Sequence, residues 1–292
     1  MDRLLYKYCD HRGIDILDRL RLKVTPPNRF NDPFEFTPQM QELSSEAALR
    51  YVFDEDAMRE IYPNMVKSGQ FSGSFAAFRH EIGRRSPKLA KGLIETYPQI
   101  AEQLRRGFID MISQTLGVIC LSTVSDDILM WGHYTKSHTC MVIGLACEHD
   151  FWRRPELQQV EYTTNRAIFD PGIEREDPKR QLQIKALVRC KSSHWAYEQE
   201  WRQLHLHAAC VKESDGDNVN YYVSIPPSLI SRVTVGCRFS IKNRTTLETI
   251  LSRCEFAHVG LQEAHLDDRE FRLGIIAINN RRSRSLAKQA GI

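Results

Sequence analysis

The segment CMVIGL at residues 140–145 is an uninterrupted apolar run, bounded by polar residues. A run of this length without a polar position is typical of a strand that is buried on both faces. The segment GVICLS at residues 117–122 has a similar character and predicts another strand. From residue 117 onward the chain is therefore expected to form a sheet.

Shorter patterns on either side extend this sheet. Residues 4–8 and 20–24 favour strands, and residues 12–19 between them favour a helix. Residues 200–207 alternate between two faces, as a strand does. Further strands are predicted at 160–162, 221–225 and 233–236, and helices at 178–191 and 241–253.

Residues 44–115 differ from the rest because they are rich in Ala, Glu, Arg, Leu and Gln, with apolar residues at helical spacing. They predict three or four helices, with breaks at Pro63, Gly69, Gly73 and Pro87. The whole pattern predicts one α+β domain over residues 1–280, with a mixed, largely antiparallel sheet and a helical insertion at 44–115. The basic residues at 281–292 are expected to form a frayed tail.

The composition excludes several classes of protein. Hydrophobic residues make up 42% and charged residues 26% of the 292 positions, which is close to a globular average and unlike a collagen, a coiled coil or a disordered chain. The 40 basic and 37 acidic residues give a net charge of +3, which is too small to indicate nucleic-acid binding. A local basic patch is still compatible with that balance.

The sequence also predicts where the protein works. No apolar run reaches the roughly 18 residues of a membrane span, and residues 1–7 lack the apolar core of a signal peptide. The eight cysteines are scattered without a C-x-x-C pair, so they are expected to be buried free thiols in a reducing compartment. We expect a cytoplasmic protein without a membrane partner.

Four segments carry more polar and aromatic residues than a core requires, and we expect them to meet in one cleft. They lie at 6–8, 30–34, 122–134 and 194–202. The candidate binding residues of the first three segments are Lys7, Tyr8, Asn31, Asp32, Ser122, Trp131, His133 and Tyr134.

Each of these three segments also has a purely structural interpretation. The first is compatible with any half-buried strand, and Asn31 and Asp32 suit a turn in which their side chains bond to nearby backbone. Trp131 and Tyr134 are three residues apart and suit one face of a short helix. His133 and His138 lie five apart, which does not match the spacing of a helical zinc pair, so no metal site is predicted.

The fourth segment has the strongest chemical character. Glu198 and Glu200 are one residue apart and enter a strand, where residues at that spacing share a face. Two carboxylates that point the same way repel each other unless they are solvated, paired or used. Arg202 continues the same face, so the alternatives are a Glu–Arg ladder and a functional carboxylate oriented by Arg202.

Together these segments resemble a bacterial family catalogued as domain of unknown function 2971. The resemblance rests on a K-Y strand at Lys7, an F-N-D-P-F loop at 30–34, the stretch L-M-W-x-H-Y at 129–134 and the motif W-x-x-E-x-E-W-R at 195–202. A late V-x-V-G at 233–236 also fits, and the pattern spans most of residues 4–255. The family name implies no activity.

The order of elements is similar, more distantly, to the ADP-ribosyltransferase fold, which implies a split sheet and NAD as the substrate. The resemblance implies that Lys7 or Tyr8 contacts NAD from the opening strand, that Ser122 ends a later strand, and that Trp131 and Tyr134 hold the nicotinamide. Lys7 stands where that fold usually has Arg or His. Lys7 or Arg202 would contact the pyrophosphate, and Asn31, Asp32 and His133 complete the expected binding set.

The chemistry implied by this resemblance suits two carboxylates. Cleavage of the nicotinamide–ribose bond passes through an oxocarbenium-like state, which a carboxylate stabilises. Glu200 would take that role and bond the ribose, while Glu198 would orient or deprotonate an acceptor, either a protein or a nucleic acid. The resemblance also implies a toxin or an anti-phage defence effector.

Two alternatives of a different class remain open, beside a purely structural role for Glu198, Glu200 and Arg202. A nuclease would use Asp32, Glu198, Glu200 and Lys191 with magnesium. A non-enzymatic sensor would hold a nucleotide in the same pocket without turnover. The sequence contains neither G-x-G-x-x-G nor G-x-x-x-x-G-K-[ST], which argues against Rossmann and P-loop sites. It does not determine an oligomeric state.

Overall fold

The two apolar segments that predict strands belong to one large sheet, where they flank the strand formed by residues 4–9. The computed structural model describes residues 3–153, 155–174, 177–216 and 218–278. In those residues the α-helices are α1 Gly13–Arg19, α2 Ser45–Val52, α3 Glu55–Lys67, α4 Phe75–Thr115, α5 Ile128–Tyr134, α6 Pro178–Arg189 and α7 Ile241–Leu251. The strands are β1 Leu4–Cys9, β2 Arg21–Val24, β3 Gln39–Met40, β4 Leu116–Ser122, β5 Met141–Ala146, β6 Leu157–Gln159, β7 Glu161–Thr163, β8 Ile168–Phe169, β9 Cys190–Ser192, β10 Glu200–Leu206, β11 Val211–Asp215, β12 Asn218–Ser224, β13 Ile230–Val235, β14 Gly260–Leu266 and β15 Leu273–Ala277.

The main sheet has eight strands in the order β15-β14-β13-β5-β1-β4-β10-β6. Its paired strands are antiparallel except for β13 and β14, so the predicted α+β class with a mixed, largely antiparallel sheet is confirmed. β5 pairs with β1 on one side and β13 on the other, and Val142, Ile143 and Leu145 are fully buried. The prediction that this strand is buried on both faces is confirmed.

The chain divides into two compact units. The first comprises residues 1–35, 112–164 and 191–292, and it contains the main sheet and a three-stranded sheet in the order β11-β12-β2. The core of the main sheet includes Leu5, Ile119 and Val233, each no more than 1% exposed. Every residue of the candidate site described below belongs to this first unit.

The second unit comprises residues 36–111 and 165–190. It holds α2, α3, most of α4, and α6, together with a short parallel pair of β3 and β8. A cluster of buried Leu43, Ala47, Ala48, Ala90 and Tyr97 forms its core. The domain boundaries expected at 44–115 and 1–280 stay predictions, and the expected tail at 281–292 lies outside the described residues.

Two of the four predicted helix breaks are wrong. Pro63 lies inside α3, and Pro87 lies inside α4, which runs for 41 residues. A proline removes one backbone hydrogen bond, and a helix with enough other contacts tolerates that loss. The breaks at Gly69 and Gly73 are confirmed, because both residues have positive φ, at 72° and 141°, which an L-residue rarely adopts.

The strands β14 and β15 at the edge of the main sheet are not predicted from the sequence. In β14 only Leu261 and Ala264 are buried, so the segment lacks both a continuous apolar run and a regular alternation. Its position follows from parallel pairing with β13, a contact between distant parts of the chain that local patterns do not report.

Candidate functional site

The four segments singled out in the sequence meet at one pocket of about 440 Å³. Strands β1, β4 and β10 run side by side and deliver three of the segments, since Tyr6 of β1 and Glu200 of β10 both pair with Ser122 at the end of β4. The expected single cleft is therefore present. Its lining includes Tyr6, Lys7, Tyr8, Phe30, Asn31, Ser122, His133, Tyr134, Glu198 and Glu200.

The floor of this pocket is a buried network of five charged side chains, Glu35, Lys191, Glu198, Glu200 and Arg202, which we call the ionic floor. The Lys191 ammonium lies 2.6 Å from Glu198 Oε2, 2.8 Å from Glu200 Oε2 and 3.2 Å from Glu35 Oε1. All five residues are no more than 6% exposed, and Arg202 is completely buried. Buried charges of this kind persist only when they are paired and hydrogen-bonded.

Arg202 completes the ionic floor from the other side. Its Nε donates to Glu200 Oε1 at 2.8 Å, its Nη2 donates to Glu200 Oε2 at 3.1 Å, and it also pairs with Glu35. Two parallel bonds to one carboxylate are the strongest arrangement that an arginine makes. Glu35 and Glu200 therefore contact both cations, whereas Lys191 is the one cation of the floor in contact with Glu198.

A tight turn, and not a continuous strand, brings Glu198 and Glu200 together. Glu198 ends a 3-10 helix at Ser193–Glu198, Gln199 is left-handed with φ 43°, and β10 begins at Glu200. The prediction that both glutamates lie on one strand is thus wrong, but both carboxylates do reach the same cation. The Ser122 hydroxyl holds the turn by donating to the Glu198 carbonyl at 2.6 Å.

The electrostatics of the floor follow from burial opposed by ion pairing. Burial raises the pKa of Glu200, but Arg202 and Lys191 lower it by more, so it falls to about 2. Burial likewise acts to lower the pKa of Lys191 and Arg202, but the surrounding carboxylates raise both above their ordinary values. Glu35 differs from Glu200, because burial prevails over Arg202 and Lys191 and raises its pKa.

Tyr134 links the floor to Asn31, another residue that lines the pocket. Its hydroxyl donates to Glu198 Oε1 at 2.6 Å and accepts from Asn31 Nδ2 at 3.5 Å. Burial, together with the negative charge of Glu198, raises the pKa of this phenol, so it stays a proton donor to Glu198. The short helix α5 sets the position of the ring, and Asp127 caps that helix by accepting from the backbone of Leu129 and Met130.

The other predicted aromatic residue, Trp131, is completely buried and does not line the pocket. Its indole donates to the Ser125 carbonyl at 2.8 Å and lies nearly parallel to His138, with ring centroids 6.0 Å apart. Contact between Trp131 and a ligand stays a prediction, and it would require the ring to become accessible. His133 lines the pocket and contacts the rings of Tyr134 and Trp195.

The remaining predicted residues have structural partners. Lys7 donates to the Cys120 carbonyl at 3.0 Å, and the Tyr8 hydroxyl donates to the Val124 carbonyl at 3.1 Å. Asp32 is buried in a turn where its carboxylate accepts from the Phe34 amide, as the structural interpretation of that loop expects. Lys7 and Tyr8 also line the pocket, but Asp32 does not.

Sequence reasoning about the binding set missed Glu35, and it considered Lys191 only as part of a nuclease. Both are central to the floor, and neither lies in a dense motif. The two phenylalanines that flank Glu35, Phe34 and Phe36, could have indicated its burial. A charged residue between large apolar residues tends to be buried with a partner of opposite charge. Lys191 is the last residue of the helix predicted at 178–191 and has no such signal.

The Lys191 ammonium lies within 3.2 Å of a carboxylate oxygen of Glu35, Glu198 and Glu200. Among the residues that the structure describes, no group of three or more His, Cys, Asp or Glu side chains is arranged to hold a metal ion. No helix within the described ranges is long and apolar enough to cross a membrane.

No family model, curated protein or solved structure matches this chain. The resemblance to domain of unknown function 2971 and the more distant one to the ADP-ribosyltransferase fold therefore stay predictions. What the site does has to be argued from its own geometry.

Proposed function

We propose that the pocket binds NAD or a related nucleotide and that the protein transfers or hydrolyses ADP-ribose. The observation that carries this proposal is the meeting of Glu198 and Glu200 in a pocket that also offers a tyrosine hydroxyl, aromatic side chains and basic residues. A nucleotide needs all of these at once, because its base stacks, its sugar hydroxyls bond to carboxylates and its phosphates require cations.

Charge balance favours Glu198 as the carboxylate that contacts the substrate. The ionic floor holds three carboxylates and two cations, and Glu35 and Glu200 each contact both cations. Those four groups form a neutral set when both acids are ionised. Among the cations of the floor Glu198 contacts Lys191, and it also accepts a hydrogen bond from Tyr134. It is the additional negative charge, and it would stabilise a positive charge that develops on a ligand.

The reaction would use these groups as follows. The bond between nicotinamide and ribose breaks with both electrons leaving on nicotinamide, and positive charge develops on the ribose ring. Glu198 stabilises that charge, while Tyr134, which donates to the same carboxylate, fixes its orientation. The acceptor, a water molecule or a nucleophilic group of a protein or nucleic acid, then attacks the ribose and transfers its proton to a carboxylate.

In this scheme Glu200 is a positioning residue. Its two bonds to Arg202 and one to Lys191 hold it in the floor. It fixes Lys191, which in turn contacts Glu198. A toxin or anti-phage effector is compatible with such an activity, because removal of NAD or modification of an essential polymer stops growth.

The experiment incubates the purified full-length protein with NAD and measures released nicotinamide by chromatography. We expect release by the native chain and about a 100-fold loss in Glu198→Gln, which keeps the size of the side chain and removes its charge. The matched control is Glu248→Gln on α7, an exposed helical glutamate outside the pocket, which should keep full activity. Equal release from all three proteins, or none from any, contradicts the proposal.

One observation favours the nucleotide sensor as a second candidate. The described carboxylates of the floor are all engaged by cations or by Tyr134, as expected of a pocket that binds without turnover. Saturable NAD binding by calorimetry, with no nicotinamide released over hours, would support the sensor and reject the enzyme.

A further inference from the structure

Three cations that line the pocket have no carboxylate partner among the residues that the structure describes. They are Lys7, Lys23 and Arg29, which we call the basic wall. Lys7 donates one of its three ammonium N–H groups to the Cys120 carbonyl, and Arg29 donates to the Val219 carbonyl and to Asn220 Oδ1. Lys23 makes no side-chain hydrogen bond and no ion pair within that part of the chain.

The strand β2 explains why Lys23 faces the pocket. Its residues alternate, so that Leu22 and Val24 are completely buried, whereas Arg21 and Lys23 lie on the other face and line the pocket. Lys23 is opposite Tyr222 of β12, which also lines the pocket. The register of two paired strands therefore holds the lysine in place.

The neighbouring cations of the pocket are neutralised, which makes the basic wall distinct. Arg12 bonds to Asp10 with three contacts, and Arg21 pairs with Asp15 and Glu213. Lys191 is paired with the three carboxylates of the ionic floor. Within the described ranges, Lys7, Lys23 and Arg29 are therefore the pocket-lining Lys and Arg residues without a carboxylate partner.

We propose that the basic wall is a subsite for the diphosphate of the ligand, with Lys23 as its central contact. The inference deepens the proposed function and rests on it for the rest of the ligand, whose ribose end would lie at Glu198. A ligand with two linked phosphates supplies at least two negative charges and several acceptor oxygens, which matches several unneutralised cations better than a carboxylate or a single sugar hydroxyl does.

Electrostatics support this assignment. Burial, and the positive charges of Arg12 and Arg29 nearby, lower the pKa of Lys23 although Asp10 acts to raise it. A bound anion between these groups would remove the repulsion. The resemblance to the ADP-ribosyltransferase fold implies that Lys7 or Arg202 contacts the pyrophosphate. Arg202 is completely buried and bonded to Glu35 and Glu200, so we assign the phosphate contacts to the basic wall instead.

The test measures binding by calorimetry to the full-length protein at fixed salt, with adenosine, AMP, ADP, NAD and inorganic pyrophosphate as separate probes. We expect ADP and NAD to bind more tightly than AMP, and AMP more tightly than adenosine. Lys23→Gln should weaken ADP binding by about 10-fold or more and leave adenosine binding unchanged. Arg29→Gln is a second variant, and Lys242→Gln on α7, exposed and outside the pocket, is the matched control for the loss of one positive charge.

The outcomes separate this inference from the proposed function. Equal affinity for adenosine and ADP, or ADP affinity unchanged in both Lys23→Gln and Arg29→Gln, overturns the diphosphate subsite even when nicotinamide is released. Lys23-dependent ADP binding without any nicotinamide release supports the subsite and rejects the enzyme. Competition by inorganic pyrophosphate supports recognition of the diphosphate itself. Thermal melting of each variant verifies that it is folded.

Discussion

The ionic floor and the basic wall are two charged regions of one pocket, and they use charge in opposite ways. In the floor, five buried groups are linked to one another by ion pairs. In the wall, Lys23 and Arg29 lack a carboxylate partner among the described residues, and Arg29 is exposed to solvent. Removal of a cation from the floor should therefore alter mainly stability, whereas removal of a cation from the wall should alter mainly ligand binding.

The largest effect is expected from Arg202→Met in the floor. The methionine keeps much of the length of the side chain but leaves Glu35 and Glu200 buried without the guanidinium that they both contact. Loss of one partner from a buried pair costs about 3–5 kcal/mol, so the free energy of unfolding should fall by that amount. Urea unfolding measures it.

The matched control for Arg202→Met is Arg79→Met, which removes an exposed arginine of α4. Its free energy of unfolding should stay within about 0.5 kcal/mol of the native value. If both variants unfold at the same urea concentration, the floor is not the stabilising network described above.

The next effect is a dependence of stability on pH that Glu200 causes. Its pKa is about 2 in the folded protein against an ordinary 4.5, so the unfolded chain binds its proton first as the pH falls. The stabilisation is therefore fully present above pH 4.5 and is lost as the pH falls toward 2. The magnitude is on the order of 3 kcal/mol.

The measurement compares urea unfolding of the native protein and Glu200→Gln between pH 6 and pH 2. The advantage of the native protein should shrink over that interval. Glu35 has a raised pKa, so its own contribution has the opposite sign, since it is present at low pH and lost as the pH rises. A difference between the two proteins that does not vary with pH contradicts the assignment to Glu200.

A smaller effect is expected where the floor meets the ligand. Tyr134→Phe removes the hydroxyl that donates to Glu198 but keeps the ring. If the proposed reaction is correct, kcat for nicotinamide release should fall about 10-fold, which corresponds to roughly 1.4 kcal/mol. The free energy of unfolding should change by less than about 1 kcal/mol, because water in the pocket replaces the lost donor.

A loss of stability in Tyr134→Phe as large as that in Arg202→Met would mean that the Tyr134 hydroxyl stabilises the fold and does not act mainly in the proposed reaction. The matched control is Tyr62→Phe in α3, whose hydroxyl donates to the Gly73 carbonyl, and neither residue lines the pocket. Its kcat should equal that of the native protein.

The smallest effect is expected from Arg12→Gln, at a residue that lines the pocket but lies outside the basic wall. Arg12 is exposed and pairs with Asp10, which is itself partly exposed, and pairs of this kind contribute no more than about 1 kcal/mol. Thermal melting should barely change, and the small difference should vanish at high salt, because salt screens exposed charges. A change as large as that of Arg202→Met would mean that an exposed ion pair stabilises this protein as much as the buried ionic floor does.

Much of this fold could be predicted from local patterns, and the exceptions are informative. The apolar runs of β4 and β5 specify buried strands because every side chain along them is compatible with a core. Pro63 and Pro87 were expected to break helices, but α3 and α4 continue through both. A proline destabilises a helix by a limited free energy, and the stabilisation from contacts elsewhere along the helix can be larger.

The sequence by itself determined that Glu198 and Glu200 approach each other, because they are separated by a single residue. Only the tertiary structure decided what surrounds them. Glu35 reaches Arg202 across 167 positions of the chain, and Lys7 reaches Cys120 across 113. The same carboxylates would repel one another in isolation, and the cations that make their burial possible come from separate elements. Neither spacing nor periodicity could therefore show that Lys191 and Arg202 both contact Glu200.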